Sequence, residues 1–214
     1  VAIWATNVPA WYITFWATTK LGAVLVTVNT AYKIHEAEYL LRQSDTHTLV
    51  MIEDCLDSNY KAIINELCPE IAQSKPGKPL HCKKLPFLRN IITVGFSMPG
   101  CLTWEEALPY ADKTPIEEVH RRMAAIRGDD VCNMQYTSGT TGFPKGVMLT
   151  QRNLYDDVTN VVVTFEPGTT MLSVLPVHHA YCLVMDWLKG FSLGATLYIN
   201  DSLLHMVRNI GKVK

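Results

Sequence analysis

Tyr136-Thr137-Ser138-Gly139-Thr140-Thr141-Gly142-Phe143-Pro144-Lys145-Gly146 is the stretch on which the rest of the chain turns. It holds three glycines, four aliphatic hydroxyls and one lysine, and it follows the strand-like run 131–136. Glycine tolerates positive φ and lets backbone N–H groups approach an anion closely. Thr137, Ser138, Thr140 and Thr141 add hydroxyl donors, and Lys145 adds a mobile positive charge. A loop of this kind suits a polyphosphate. Composition alone fits equally a solvated Ser/Thr/Gly loop between two regular segments. A Walker A loop is excluded: that pattern needs Gly-Lys followed by Ser or Thr, whereas here Pro144 precedes Lys145 and Gly146 follows it.

Upstream of the loop, regular segments alternate. Residues 1–29 carry a single charge, Lys20, and resemble a membrane span by hydropathy alone. Asn7 and Pro9 argue against a span, because they read as an N-cap and a first-turn proline. The segment then becomes strand 1–5, helix 10–20, a stop at Leu21-Gly22 and strand 23–28. Buried parallel strands are apolar on both faces, which accounts for the hydropathy. Residues 34–44 carry Ile34, Ala37, Leu40 and Leu41 on one helical stripe. Strand 48–52, helix 59–68, a Pro- and Lys-rich loop over 72–88 and strand 90–94 follow. Thr103 with Glu106 reads as a capping box, and 114–127 as a helix with Pro115 in its first turn. Strands alternating with helices predict an α/β fold, a doubly wound and mostly parallel sheet flanked by helices. In such sheets ligands sit beyond the carboxyl ends of the strands, which is where the 136–146 loop emerges.

Downstream, 147–149 reads as a strand and 151–165 as a helix, and Pro167-Gly168 breaks the chain. A second unit starts there: strand 171–175, the turn Pro176-Val177-His178-His179-Ala180-Tyr181, a helix to about 191, strand 195–200 and helix 203–210. The organisation expected is therefore a first α/β subdomain over 1–168 and the beginning of a second over 169–214.

The bulk numbers exclude several classes. At 214 residues, 48% hydrophobic and 18% charged, the chain is a folded protein with a sizeable core. A net charge of -1 gives no electrostatic ground for nucleic acid as a partner. The six cysteines show neither a C-x-x-C pair nor a metal-ligand rhythm, so no metal ligand is assigned and reduced buried thiols are expected. The chain opens on Val1 and closes without a distinct motif, and both ends read as cut from a longer protein.

The eleven residues 136–146 resemble the signature loop of the adenylate-forming, or AMP-binding, superfamily of acyl-CoA synthetases, luciferases and peptide-synthetase adenylation domains. Val147-Met148-Leu149-Thr150 and Arg152-Asn153-Leu154 resemble the acyl-CoA ligase branch, while Gln151 stands where many relatives carry histidine. The resemblance implies a two-step reaction. A carboxylate attacks the α-phosphate of ATP, with Mg²⁺, to give acyl-adenylate and pyrophosphate, and the acyl group then passes to coenzyme A. It implies phosphate binding by Thr137, Ser138, Gly139, Thr140, Thr141, Gly142 and Lys145. Leu175-Pro176-Val177-His178-His179 is similar to a second motif of the family, which implies that His179 lies beside the acyl-substrate pocket. Cys182 departs from the glycine usual there, and His178 is assigned no role.

No catalytic residue is assigned within the chain. The family's Tyr-Gly-x-Thr-Glu motif, its ribose-binding aspartate and its catalytic lysine would all lie beyond residue 214. The piece alone is therefore expected to be inactive. Peptide-synthetase domains carry Phe-Asp-x-Ser where this chain has Pro176-Val177-His178-His179, and loss of that aspartate favours a plain carboxylic acid, a fatty acid first and an aryl acid next. A non-catalytic nucleotide-binding interaction protein is the alternative of another class. A cytoplasmic or membrane-peripheral protein without a membrane span is expected.

Overall fold

The computed structural model describes residues 1–137, 144–163, 166, 168–200 and 205–211. Five short strands alternate with helices before the glycine-rich loop: β1 (Ala2–Trp4), α1 (Pro9–Leu21), β2 (Leu25–Thr27), α2 (Ile34–Gln43), β3 (Thr48–Met51), α3 (Tyr60–Leu67), β4 (Asn90–Thr93), β5 (Leu102–Thr103), α4 (Trp104–Ala107) and α5 (Ile116–Ala125). The strands β6 (Val131–Thr137) and β7 (Lys145–Thr150), then α6 (Gln151–Asn160), follow. The sheet has seven strands in the order β5-β4-β3-β1-β2-β6-β7. Every neighbouring pair is parallel except β6–β7, which is antiparallel.

Period-two alternation explains how so short a β1 organises both faces. Ala2 and Trp4 point into one core with Leu40, Leu41, Ile64 and Leu67 from α2 and α3. Ile3 points into the other with Trp11 and Phe15 from α1. The same split recurs in β3, where Leu49 and Met51 join the first core and Val50 the second. Helices on both faces of a parallel sheet are the doubly wound architecture, and all three residues of β1 are fully buried.

Local chemistry sets most helix ends. Pro9 starts α1, and Gly22 ends it at φ 73°, a left-handed position that costs glycine no Cβ clash. Asn59 caps α3 by accepting from the Ala62 N–H at 2.8 Å. Thr103 and Glu106 form the expected capping box on α4. Two expectations fail. Asn7 is not the cap of α1; Val8 occupies that position without a side-chain bond. Helix α6 stops at Asn160, where Val161 turns to extended φ/ψ at the head of the run Val161-Val162-Val163. β-Branched side chains lose χ1 freedom in a helix, so this run does not propagate one. The expected end at 165 falls outside the described residues.

Strands β8 (Thr170–Ser173) and β9 (Thr196–Ile199) form a separate two-stranded parallel sheet. Between them the chain runs through a wide-turned π-helix, Cys182–Lys189, and one further turn, α7 (Gly190–Ser192). A short α8 (Met206–Ile210) follows β9. Val177, Leu183 and Trp187 from this part join the α1 core. No helix among the described residues is long and apolar enough to cross a membrane.

Candidate active site

The parallel strands β1, β2 and β6 end at one edge of the sheet, and two segments converge there. The first is the β6–β7 hairpin. Its antiparallel register places Thr137 opposite Lys145, and the Thr137 hydroxyl reaches the Lys145 carbonyl at 3.5 Å. Both side chains are exposed, and Lys145 makes no ion pair among the described residues. Gly146 packs closely in the hairpin: a Cβ there would lie 3.0 Å from Met134 Sδ and 3.1 Å from Tyr136 Cζ, so both side chains would have to shift by a few tenths of an ångström. Ser138, Gly139, Thr140, Thr141 and Gly142 fall outside the described residues. Their flanks are brought together; nothing is said of their own placement.

The second segment is the turn 176–181. Asn7, just past the carboxyl end of β1, holds it with both ends of its amide. Its Nδ2 donates to Leu175 O at 2.8 Å, and its Oδ1 accepts from the Val177 N–H at 2.7 Å. These bonds bridge 168 and 170 residues of sequence. They tie the turn to β1, which stands two strand positions from β6, or about 10 Å at the usual interstrand spacing. Sequence reasoning missed this role because an Asn two residues before a helix-starting Pro carries the signal of a cap, and its real partners are remote.

Within the turn, the His179 N–H donates to Pro176 O at 2.9 Å, and its Nδ1 accepts from the Tyr181 N–H at 3.3 Å. With Nδ1 an acceptor, the neutral ring carries its proton on Nε2, and the residue is exposed. His178 differs. It is half-buried, its Nδ1 finds no partner, and burial with the neighbouring His179 lowers its pKa to about 4. Cys182, where the family motif has glycine, is fully buried beneath the turn, and its thiol donates to Leu175 O at 3.1 Å. Burial raises that thiol to about 12, so it packs as a neutral group.

The lowered His178 pKa carries a signed prediction. The unfolded chain takes up a proton near pH 6.5 and the folded chain only near 4. Stability is therefore full above pH 6.5 and falls as pH drops towards 4, by up to roughly 3 kcal/mol. Urea denaturation at pH 7 and pH 4 should show this fall, reduced by that amount in His178→Gln. An identical fall in both proteins would remove His178 from the account.

A separate groove of about 680 Å³ is lined by Tyr12, Ile13, Trp16, Trp187, Phe191 and Leu197, among others. None of Thr137, Lys145 or His179 lines it. The candidate site is the carboxyl-end edge of the sheet, which carries both the hairpin after β6 and the turn clamped by Asn7 after β1.

The fold is an open, doubly wound α/β sheet, a class in which ligand sites lie beyond the carboxyl ends of the strands. Residues 1–213 match the AMP-binding enzyme family, and the chain belongs to it. It is 40% identical over 200 residues to a putative acyl-CoA synthetase, YngI, of Bacillus subtilis (strain 168), covering 92% of this chain and 36% of that protein. It is 31% identical over 213 residues to the human mitochondrial medium-chain acyl-CoA ligase ACSF2, covering 96% of this chain and 34% of that one. The chain thus spans about a third of the length of these curated relatives. A putative long-chain-fatty-acid CoA ligase from Rhodopseudomonas palustris CGA009 superposes with a TM-score of 0.70 at 18% identity, covering 98% of this chain and 47% of that one. The N-terminal domain of FACL13 from Mycobacterium tuberculosis superposes at 0.68 and 19% identity, covering 99% and 46% respectively. At such identities the superpositions speak for the fold.

Proposed function

We propose that this chain is the phosphate-gripping part of an AMP-forming acid–thiol ligase that activates a carboxylic acid, a fatty acid by first choice, and passes it to coenzyme A. The observation that carries the reading is the β6–β7 hairpin, which closes with Thr137 opposite Lys145 at the carboxyl edge of the sheet. Bound ATP, with Mg²⁺, would supply the activated α-phosphorus and pyrophosphate as leaving group. Thr137 offers a hydroxyl and Lys145 a point charge to the β- and γ-phosphates, stabilising negative charge as it moves onto pyrophosphate. The described residues fit an anion here and supply no cage of carboxylates, so a hard cation would rest mainly on the phosphates themselves. His179, with Nε2–H turned outward, would border the acyl group. Fatty-acid chemistry is favoured by the relatives' names, acyl-CoA synthetase and medium-chain acyl-CoA ligase.

The test is ATP–pyrophosphate exchange by the full-length protein with short, medium, long-chain and aromatic acids and with amino acids. Exchange stimulated by fatty acids is expected. Lys145→Ala should lower it by about 100-fold, the usual cost of one transition-state donor, while Lys145→Arg keeps part of it. The 214-residue piece alone should give no exchange. Silence with every acid from a folded protein that binds MgATP would replace the ligase reading with that of a nucleotide-binding module.

A further inference from the structure

Away from the strand ends, the fold gathers three metal-ligating groups that the cysteine spacing did not connect. Cys68 ends α3 and leads into a 3₁₀ turn, Pro69–Gln73, which carries Glu70. Cys82 comes from the Pro- and Lys-rich loop that precedes β4 and folds back over this turn. Cys68 is fully buried and Cys82 is 4% exposed. The two sulfurs and a Glu70 carboxylate oxygen all lie within 4.8 Å of one another.

We propose that Cys68, Glu70 and Cys82 form a site for a thiophilic divalent cation of the zinc class, which clips the 74–89 loop to the end of α3. Two thiolates select a soft or borderline ion and disfavour magnesium and calcium. A tetrahedral zinc centre places its ligand atoms about 3.5–3.8 Å apart, given bonds of roughly 2.0–2.3 Å. Side-chain rotation of about 1 Å therefore closes the cluster. The carboxylate is already oriented for this. Glu70 Oε1 accepts from the Lys83 N–H at 3.3 Å, while Oε2 is shielded from water, with no donor near the carboxylate on that side among the described residues but the Cys68 thiol and the residue's own N–H. An ordered carboxylate whose second oxygen faces thiols is the donor set a cation completes as the thiol protons leave. Cys82 spends its proton on the Leu67 carbonyl at 3.3 Å, so its sulfur lone pairs face away from that bond.

Binding converts two thiols and one carboxylate into two thiolates and one carboxylate around the cation, releasing two protons to solvent. The centre then carries a net charge of -1, next to Lys83, which already bonds Glu70 through its backbone. Glu70 is only partly covered and leaves the fourth position open to a water and to entry from solvent. This site is independent of the ligase reading.

The test is cobalt titration of the fully reduced protein. One equivalent should bind with a thiolate-to-cobalt charge-transfer band in the near ultraviolet, and zinc should displace it. Zinc should shield two thiols from a thiol reagent, and peptide mapping should identify them as Cys68 and Cys82. At a thousandfold excess over Kd, zinc should raise the melting midpoint by roughly 8–16 °C. Cys68→Ser and Cys82→Ser should each abolish the band, and Glu70→Gln should weaken binding roughly tenfold or more without unfolding the protein. Cobalt bound without a thiolate band, shielding that maps to other cysteines, or a band unaffected by Glu70→Gln would overturn the proposal. A Cys68–Cys82 disulfide that takes up no metal after reduction would also overturn it.

Discussion

Replacing Trp4 with alanine is expected to lower stability by about 3–5 kcal/mol, as full truncation of a buried aromatic does. Trp4 is fully buried on the central strand of the sheet. Its ring stacks on Tyr60 of α3 at 4.0 Å between centroids, and its Nε1–H donates to Asn29 O at 3.1 Å. The Tyr60 hydroxyl donates to the adjacent Thr30 O at 2.7 Å. Two aromatic rings, one from β1 and one from α3, thus fasten the same segment as it leaves β2. Alanine leaves a cavity that rigid strands cannot collapse into, and it removes one of the two hydrogen bonds that Asn29 O accepts, the Tyr32 N–H remaining at 3.1 Å. Trp4→Phe separates the two contributions. It keeps most of the stack and loses the bond, at a cost of about 1–2 kcal/mol from the lost hydrogen bond and the smaller ring. Urea denaturation of the three proteins measures both steps. A loss below about 1 kcal/mol for alanine would mean that the core around β1 repacks freely.

Much of this arrangement was legible because each layer of the fold repeats its signal. Strands buried on both faces are continuously apolar, helices between them carry one apolar stripe, and Thr103, Asn59 and Gly22 mark ends by local chemistry. The glycine-rich loop was legible as a family motif, and its flanks Thr137 and Lys145 pair across a hairpin. What escaped had no local signature. Strand β5 has only two residues and exists through its pairing with β4. The π-helix Cys182–Lys189 follows a turn held from outside by Asn7. Cys68, Glu70 and Cys82 meet because a loop folds over a helix end, which no spacing rule for metal ligands describes. In each case a long-range contact decides, and the residues involved fit a blander local description equally well.

Asn7 offers the most direct connection between such a contact and the site. Asn7→Ala removes both bonds to the 175–177 segment and is expected to cost roughly 1–3 kcal/mol, since the Val177 N–H is left unpaired where water does not replace the amide, while Leu175 O keeps the Cys182 thiol. Asn7→Asp is the sharper variant. One carboxylate oxygen still accepts from the Val177 N–H, but the other replaces the donor to Leu175 O and sets two acceptors face to face. Protonation of that aspartate restores a donor, so its pKa is raised in the folded protein. Its deficit relative to wild type should therefore be largest near pH 7 and shrink as pH falls through the aspartate range. A simple packing defect would show no such pH dependence. The turn itself supplies a second readout. The low pKa of His178, about 4, depends chiefly on burial beneath a fixed turn, so release of the clamp should let it climb back towards its ordinary value of 6.5. A histidine titration followed by NMR in Asn7→Ala measures this. If His178 still titrates near 4 there, the turn is held by Val177, Leu183 and Trp187 in the apolar core, and the amide clamp only adds to a position that packing already sets.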